Sequence, residues 1–384
     1  MPSKPFKRGA TWYVVVELDR AADGQRRQKW VRGATQKEAL AAATALQHAR
    51  NTRTAPEPTK QTVAAYVAEW LDTERHRLEA TSAANYGYIV AKHIAGHFAT
   101  LRMDQLAPAH VAKWLAYLRA KELSSSRLVS TWSVLHAALD AAVKLGTLPY
   151  NPCDRVTPPR RARVERQIWD EDRARAFLAR IAADKYHALY ALVMGTGLRR
   201  GEILGLRWQD VDLARGVLTV RQAQARVNGR PLIFKPPKTP GSRRAITLPA
   251  FAVAALKAHK ARQNAERLRF GAVWEETDLV FCKPGGAALP PGTFEYSWYK
   301  LRAALVADGF PYIRLHDLRH LHATLGLAAG VHPKVMSERL GHSSVTITLD
   351  LYSHVTETMQ ARAAAAFDDV LGDGGAARGE RSGS

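Results

Sequence analysis

HDLRHLHATLGLAAG, residues 316–330, is the stretch on which the reading of this chain turns. On a helix, Leu318, Leu321, Leu325 and Leu327, with Leu315 before them, turn largely inward, while His316 and Arg319, three apart, share another face. A helix of this kind needs a packed helical domain behind it, and it carries cations that a core cannot use. Three histidines in seven residues raise the question of a metal. Only His316 and His320 stand at i, i+4, no glutamate of the H-E-x-x-H kind lies between them, and no carboxylate cluster follows, so a metal site is not expected.

Downstream, VHPKVMSERLGH (331–342) predicts a helix with Val331, Val335, Met336 and Leu340 inward, ended by Gly341 at a C-cap position, with His342 just beyond. LGHSSVTITLDLYSH (340–354) then reads as a helix end, a β-rich run and a turn into a last helix, 353–367, with Tyr352 near its start. Upstream, GTGLRRGEILGLRW (195–208) sets Arg199 and Glu202 three apart at a helix start, close enough for the carboxylate to hold the guanidinium in one pose. A dinucleotide-binding G-x-G-x-x-G would need glycine where Arg200 stands, and no strand leads in. Between these stretches, VLTVRQAQARVNGRPLIFK (217–235) predicts two strands across an Asn228–Gly229 turn, and RRAITLP (243–249) a third. The loop joining them, PPKTPGS, carries Lys238 on a proline-flanked tip.

The rest of the chain has a different texture. WYVVVELD (12–19) alternates, turns through AADGQ and continues in RRQKWVRG (26–33), followed by the helical ATQKEALAAATALQHAR (34–50). This predicts a small sheet with one helix, and residues 1–60 carry 12 Lys and Arg against 5 Asp and Glu. NTRTAPEPTK (51–60) reads as a linker. Four stretches, 61–73, 80–98, 108–122 and 124–146, then repeat apolar residues at three- and four-residue spacing, as in Val63, Tyr66, Val67 and Trp70. A second linker, NPCDRVTPPRRARVERQ (151–167), holds five arginines between Arg155 and Arg166. Helices at 170–183 and 186–194 open the last domain. The expected fold is therefore multidomain and mainly α with small β-sheets. A basic sheet and helix module occupies 1–55, an all-helical domain 60–152, an α+β domain 165–370 and a polar, Gly-rich tail 371–384.

Charge narrows the partner. The 384 residues hold 56 Lys and Arg against 35 Asp and Glu, a net +21. Such an excess favours a polyanion, because each phosphate neutralised releases condensed counterions. A membrane is the competing polyanion, but the longest apolar run, around residues 188–194, falls far short of the roughly 20 residues that span a bilayer. No secretory leader is legible at the N-terminus. The protein is expected to be soluble and to act in the bacterial cytoplasm, with double-stranded DNA as partner. Two cysteines, Cys153 and Cys282, cannot build a disulfide framework or a zinc cage by themselves, and read as small buried or half-buried thiols.

Taken together, Arg199, Lys238, His316, Arg319, His342 and Tyr352, with Glu202 supporting Arg199, are what metal-free attack on a phosphodiester requires. A phenol with a pKa of about 10 is a poor nucleophile at neutral pH and needs a neighbour to take its proton and cations to favour the phenolate. Arg199 and Arg319 would clamp the non-bridging oxygens, Lys238 could protonate the departing oxygen, His316 could serve as base or acid, and His342 could donate to the phosphate. Several groups must converge: phosphate-ester chemistry can demand up to about 23 kcal/mol. One preorganised donor contributes about 3 to 4 kcal/mol, and positioning about 7 to 11.

R-x-G-E from Arg199 to Glu202, a hairpin lysine, HDLRH, LGH and a tyrosine ten residues after the last histidine, in that order, resemble the tyrosine recombinases, specifically the phage-type integrases. The helical domain resembles the family's core-site-binding domain, and the N-terminal sheet its arm-site-binding module. The resemblance implies that Tyr352 forms a 3′-phosphotyrosine with release of a 5′-hydroxyl, within a pocket of Arg199, Lys238, His316, Arg319 and His342. Neither ATP nor a metal cofactor is implied. It further implies a homotetramer bridging two DNA sites with the last helix exchanged, assisted by a DNA-bending host factor and an excisionase. The alternatives are a type IB topoisomerase that nicks and reseals one duplex, and a DNA-binding regulator without cleavage. A metal nuclease is disfavoured by the lack of clustered carboxylates.

Overall fold

The computed structural model describes residues 3–18, 26–51, 59–162, 168–226, 231–237, 242–342, 344–349, 364 and 367–368. The chain divides into two compact units, Met1–Val164 and Glu165–Ser384.

The first unit holds two separate cores. Near the N-terminus, antiparallel strands β1 (Phe6–Arg8), β2 (Thr11–Leu18) and β3 (Arg27–Gly33) form a sheet in that order. Alternation along β2 sends Val14 and Val16 to one face, where they bury against Ala39 and Ala43 of helix α1 (Gln36–Asn51). Thr35 and Glu38 close a reciprocal cap at the start of α1: Thr35 Oγ1 accepts the Glu38 N–H at 3.2 Å and the Glu38 carboxylate accepts the Ala34 N–H at 2.9 Å. The edge strand β1 was not legible in the sequence pattern, because three residues are too few to show alternation.

The second core belongs to helices α2 (Val63–Glu74), α3 (Ala80–Ile89), α4 (Pro108–Ala120) and α5 (Ser125–Lys144), with one π turn, Val90–Ile94, continuing α3. Val63 and Val67 are buried as their spacing requires, and they join Ile94, Trp114, Leu135 and Leu139. Trp114 can be buried because its indole N–H reaches the His93 carbonyl at 2.8 Å.

The second unit is built around α7 (His187–Thr196), apolar on every side and buried from Ala188 to Thr196. Helices α6 (Glu171–Arg180), α9 (Ala250–Phe270) and α11 (Asp317–Ala328) pack against it. The short α8 (Arg200–Leu204) follows it, and α10 (Pro291–Ala307), α12 (Pro333–Leu340) and α13 (Val345–Leu349) are further helices of this unit. One small sheet has the order β4 (Val211–Asp212), β5 (Val217–Val220), β8 (Arg244–Thr247), and a separate ribbon pairs β6 (Ala223–Ala225) with β7 (Ile233–Lys235).

Two expectations are corrected here. The run 217–235 is not one hairpin: β5 pairs with β8, Leu218 opposite Ile246, while only β6 and β7 face each other, Ala223 opposite Lys235. Leu218, Val220 and Ile246 supply the reason, since all three join the main core and the ribbon does not. The Asn228–Gly229 turn lies outside the described residues. The expected β-rich run after His342 is instead the helix α13; the Ser344 hydroxyl accepts the Thr346 N–H at 3.2 Å, and Thr348 is fully buried. Burial overrides the strand propensity of a β-branched sequence.

Candidate active site

The site grows from two glycine turns. Helix α7 ends at Gly197 (φ +66°) and α12 at Gly341 (φ +65°), both left-handed. A Cβ at Gly197 would lie 2.6 Å from the Leu340 side chain and 2.7 Å from the His322 ring, so only glycine lets the two turns meet.

Into this junction come two guanidiniums. Arg319, on α11, is 4% exposed and donates to the Gly197 carbonyl and, at 2.8 Å, to the Leu340 carbonyl. Arg199, directly before α8, donates to the next carbonyl, Gly341, at 2.7 Å, and to Glu202 at 2.8 Å. The Glu202 carboxylate also accepts the Arg199 backbone N–H at 3.0 Å, which caps α8 and fixes the arginine at both ends. The adjacent Arg200 forms an ion pair with Glu295 on α10, and both line the same cleft as Arg199.

Burial pushes the Arg319 guanidinium down to about 9, with Arg199 and Arg244 adding repulsion, so it remains a cation at neutral pH. Burial likewise lowers His342 to about 4, reinforced by the charges of Arg319 and Arg199, which leaves its ring neutral. The His342 Nδ1 lies 2.9 Å from the Thr348 hydroxyl. Glu202 is held below the usual carboxylate range: burial opposes this, but Arg244 and then Arg199 outweigh it.

Arg199, His316 and Arg319 line one cleft of about 380 Å³ together with Leu198, Ile203 and Leu315. His316 is exposed at the start of α11, its ring edge-on to His320 with centroids 5.0 Å apart. Thus Arg199, Glu202, His316, Arg319 and His342 converge, whereas Lys238 and Tyr352 lie outside the described residues. Val335, expected inward, is 52% exposed, because α12 packs through Met336 and Leu340 and its neighbour points elsewhere.

Sequence reading missed three residues. Arg244 on β8 takes the other side of Glu202. Arg339 on α12 donates to the Gly195 carbonyl at 2.6 Å and to His322 Nε2 at 3.2 Å, so His322 carries its proton on Nδ1, 2.8 Å from the Met194 carbonyl. No sequence spacing points to these partners. Elsewhere among the described residues, one group could hold a metal ion: His136, Asp140 and Asp154, whose ligand atoms lie within 4.8 Å of one another. There both ring nitrogens already face a carboxylate, at 3.3 and 2.9 Å. Cys153 is buried and Cys282 half-buried, both free.

Comparison with known proteins fits this arrangement. The phage integrase family matches residues 169–359, the phage integrase N-terminal SAM-like domain residues 62–119, and the arm DNA-binding domain residues 4–49. The chain belongs to the phage integrase family. It is a site-specific DNA recombinase of the tyrosine type, an enzyme that breaks and rejoins DNA strands.

A tyrosine recombinase XerC-like protein of Caldanaerobacter subterraneus subsp. tengcongensis is 27% identical to this integrase over 71% of the chain and 73% of the relative. The ICEBs1 integrase of Bacillus subtilis is 27% identical over 75% and 77%. Among solved structures, the Tn1549 transposon integrase in complex with a circular intermediate DNA shares the fold at a TM-score of 0.68, with 19% identity over 79% of this chain and 99% of that one. The lambda integrase tetramer bound to a Holliday junction follows at 0.57, with 15% identity over 91% and 94%. No helix among the described residues is long and apolar enough to cross a membrane.

Proposed function

We propose that this recombinase cleaves DNA by attack of the Tyr352 phenol oxygen on a backbone phosphorus. The tyrosyl O–P bond forms as the P–O5′ bond breaks, giving a 3′-phosphotyrosine and a 5′-hydroxyl. The phenol proton passes to a base, and the departing oxygen takes a proton from an acid; His316 and Lys238 are the groups for these transfers. Arg199 and Arg319 clamp the non-bridging oxygens, and neutral His342 donates a third hydrogen bond, its Nδ1 accepting from Thr348 so that Nε2 keeps its proton. Attack by another strand's 5′-hydroxyl reverses the step and reseals the DNA, with the ester energy kept in the phosphotyrosyl bond.

One observation carries this reading. The two guanidiniums hang from consecutive carbonyls, Leu340 and Gly341, directly before His342. A side chain hung in this way keeps its geometry before substrate arrives, so the transition state does not have to organise it.

Residues 165–370 would carry this chemistry, 60–152 would hold core-site DNA and 1–55 an arm site; the family matches at 4–49 and 62–119 support the last two. The active form would be a homotetramer in the bacterial cytoplasm, bridging two duplexes with the last helix exchanged between neighbours, helped by a DNA-bending factor and an excisionase. The tetramer that lambda integrase forms on a Holliday junction, and the charge of +21, support that assembly. A strand-exchange assay on two labelled sites tests it. Recombinant products and a four-way intermediate are expected; relaxation of a single duplex without exchange between sites would contradict the paired-site reading.

A further inference from the structure

Arg244 opens strand β8, and among the described residues its guanidinium bonds to Glu202 and to the Arg339 and Ser242 carbonyls. It is 7% exposed along its side chain and pairs in fork fashion with Glu202, Nη2 at 2.9 Å from Oε2 and Nη1 at 3.3 Å from Oε1. Its Nε donates to the Arg339 carbonyl at 2.7 Å, and Nη1 also reaches the Ser242 carbonyl at 3.1 Å. A Cβ at Gly341 would lie 2.8 Å from Nη1, so the guanidinium packs against the turn that holds Arg199 and Arg319.

Glu202 is therefore shared between two arginines. Arg199 draws on Oε1 and, through its backbone, on Oε2; Arg244 draws on the same two oxygens from the strand side. Arg199 keeps a 39% exposed side chain that lines the cleft, whereas Arg244 is enclosed. We propose that Arg244 is a positioning residue for strand cleavage: it never meets the phosphate, but fixes Glu202 and the 339–341 turn, and through them the Arg199–Arg319 clamp and His342. This rests on the clamp reading given above.

The chemistry explains why an arginine is needed. One planar fork reaches two carboxylate oxygens and a carbonyl at once, which a lysine ammonium cannot reproduce. Removing Arg244 takes from a 4% exposed carboxylate the larger of its two counter-charges. Burial then favours the protonated acid, and a protonated Glu202 no longer holds both ends of Arg199 as an anion would.

The test uses full-length Arg244→Met, Arg244→Lys, Glu202→Gln, Arg199→Lys and the double variant Arg244→Met with Glu202→Gln. The readouts are thermal unfolding, DNA affinity and the single-turnover rate of covalent adduct formation on a nicked site, followed against pH. Arg244→Met should bind DNA as the parent does and cleave on the order of 100-fold more slowly, with its acid limb displaced to higher pH. Arg244→Lys should recover only part of the rate. In the Glu202→Gln background the second substitution should cost less than it does alone, because the two share the carboxylate contact and only the Arg339 carbonyl contact is left to lose. Binding and cleavage falling in parallel, an unmoved acid limb with multiplying losses, or failure of both Arg244 variants to fold would overturn the positioning role. If Arg199→Lys is slow while the Arg244 variants cleave normally, only this inference falls; if Arg199→Lys itself cleaves normally, the clamp reading falls and takes it along.

Discussion

Arg319 has two neutral acceptors and two repelling cations around it, an unusual setting for a buried charge. Two carbonyls satisfy its guanidinium, while Arg199 and Arg244 push against it and Glu202 offsets part of that push. Replacing it with methionine strips donors from both carbonyls, about 1–3 kcal/mol each, and removes the repulsion from Arg199 and Arg244 along with the attraction to Glu202, so part of the stability loss is offset and cleavage should fall further than stability. Arg319→Met is expected to cleave at least about 100-fold more slowly with DNA binding retained. Quench-flow adduct assays beside filter binding measure the two separately.

His322 gives a second prediction at the same scale. Burial first, then Arg339, lowers its ring to about 4 from an ordinary 6.5. The unfolded chain therefore binds a proton that the folded chain refuses between those values. This share of the stability is complete above pH 6.5 and is lost as pH falls toward 4, on the order of 2–3 kcal/mol. His322→Gln can keep both hydrogen bonds without titrating, and urea unfolding should show a flatter decline below neutrality than in the parent.

Among the elements, the two glycine turns and α13 matter most. Gly197→Ala places a Cβ within 2.7 Å of two side chains at a left-handed residue. A loss of about 1–3 kcal/mol or more is expected in thermal unfolding. Thr348→Val keeps the shape of α13 and removes only the hydroxyl beside His342; the fold should survive while cleavage drops severalfold. The elements also mark what a sequence can disclose. The Arg199–Glu202 contact was legible because helix geometry brings residues three apart together. Arg244 was not, because a pair 42 residues apart depends on how β8 lies beside α8 and α12. VTITL was misread for a related reason: its β-branched residues suggest a strand, and the packing of α13 against α12 that buries Thr348 is not written in its spacing. Arg199, His316 and His342 were visible because each sits beside a local landmark, a helix start or a glycine cap, whereas Lys238 and Tyr352 lie outside the described residues.

At the scale of the whole molecule, charge and chain organisation govern DNA binding. With a net +21 the affinity should fall linearly with the logarithm of salt, by about 10³–10⁵ between 50 and 200 mM if 6–10 phosphates are contacted. A chain starting at residue 61 should keep cleavage at a core site and lose part of that salt slope, because residues 1–60 carry a net +7; affinity titrations over a salt series compare the two directly.

The central claim is that a phenol oxygen joins the DNA. Nicked site-containing duplexes mixed with the parent and with Tyr352→Phe, then denatured with detergent and resolved by size, measure it most directly. The parent should leave a protein–DNA adduct that yields a phosphotyrosine peptide at residue 352, and Tyr352→Phe should bind equally well yet leave none. An adduct persisting in Tyr352→Phe would contradict the account.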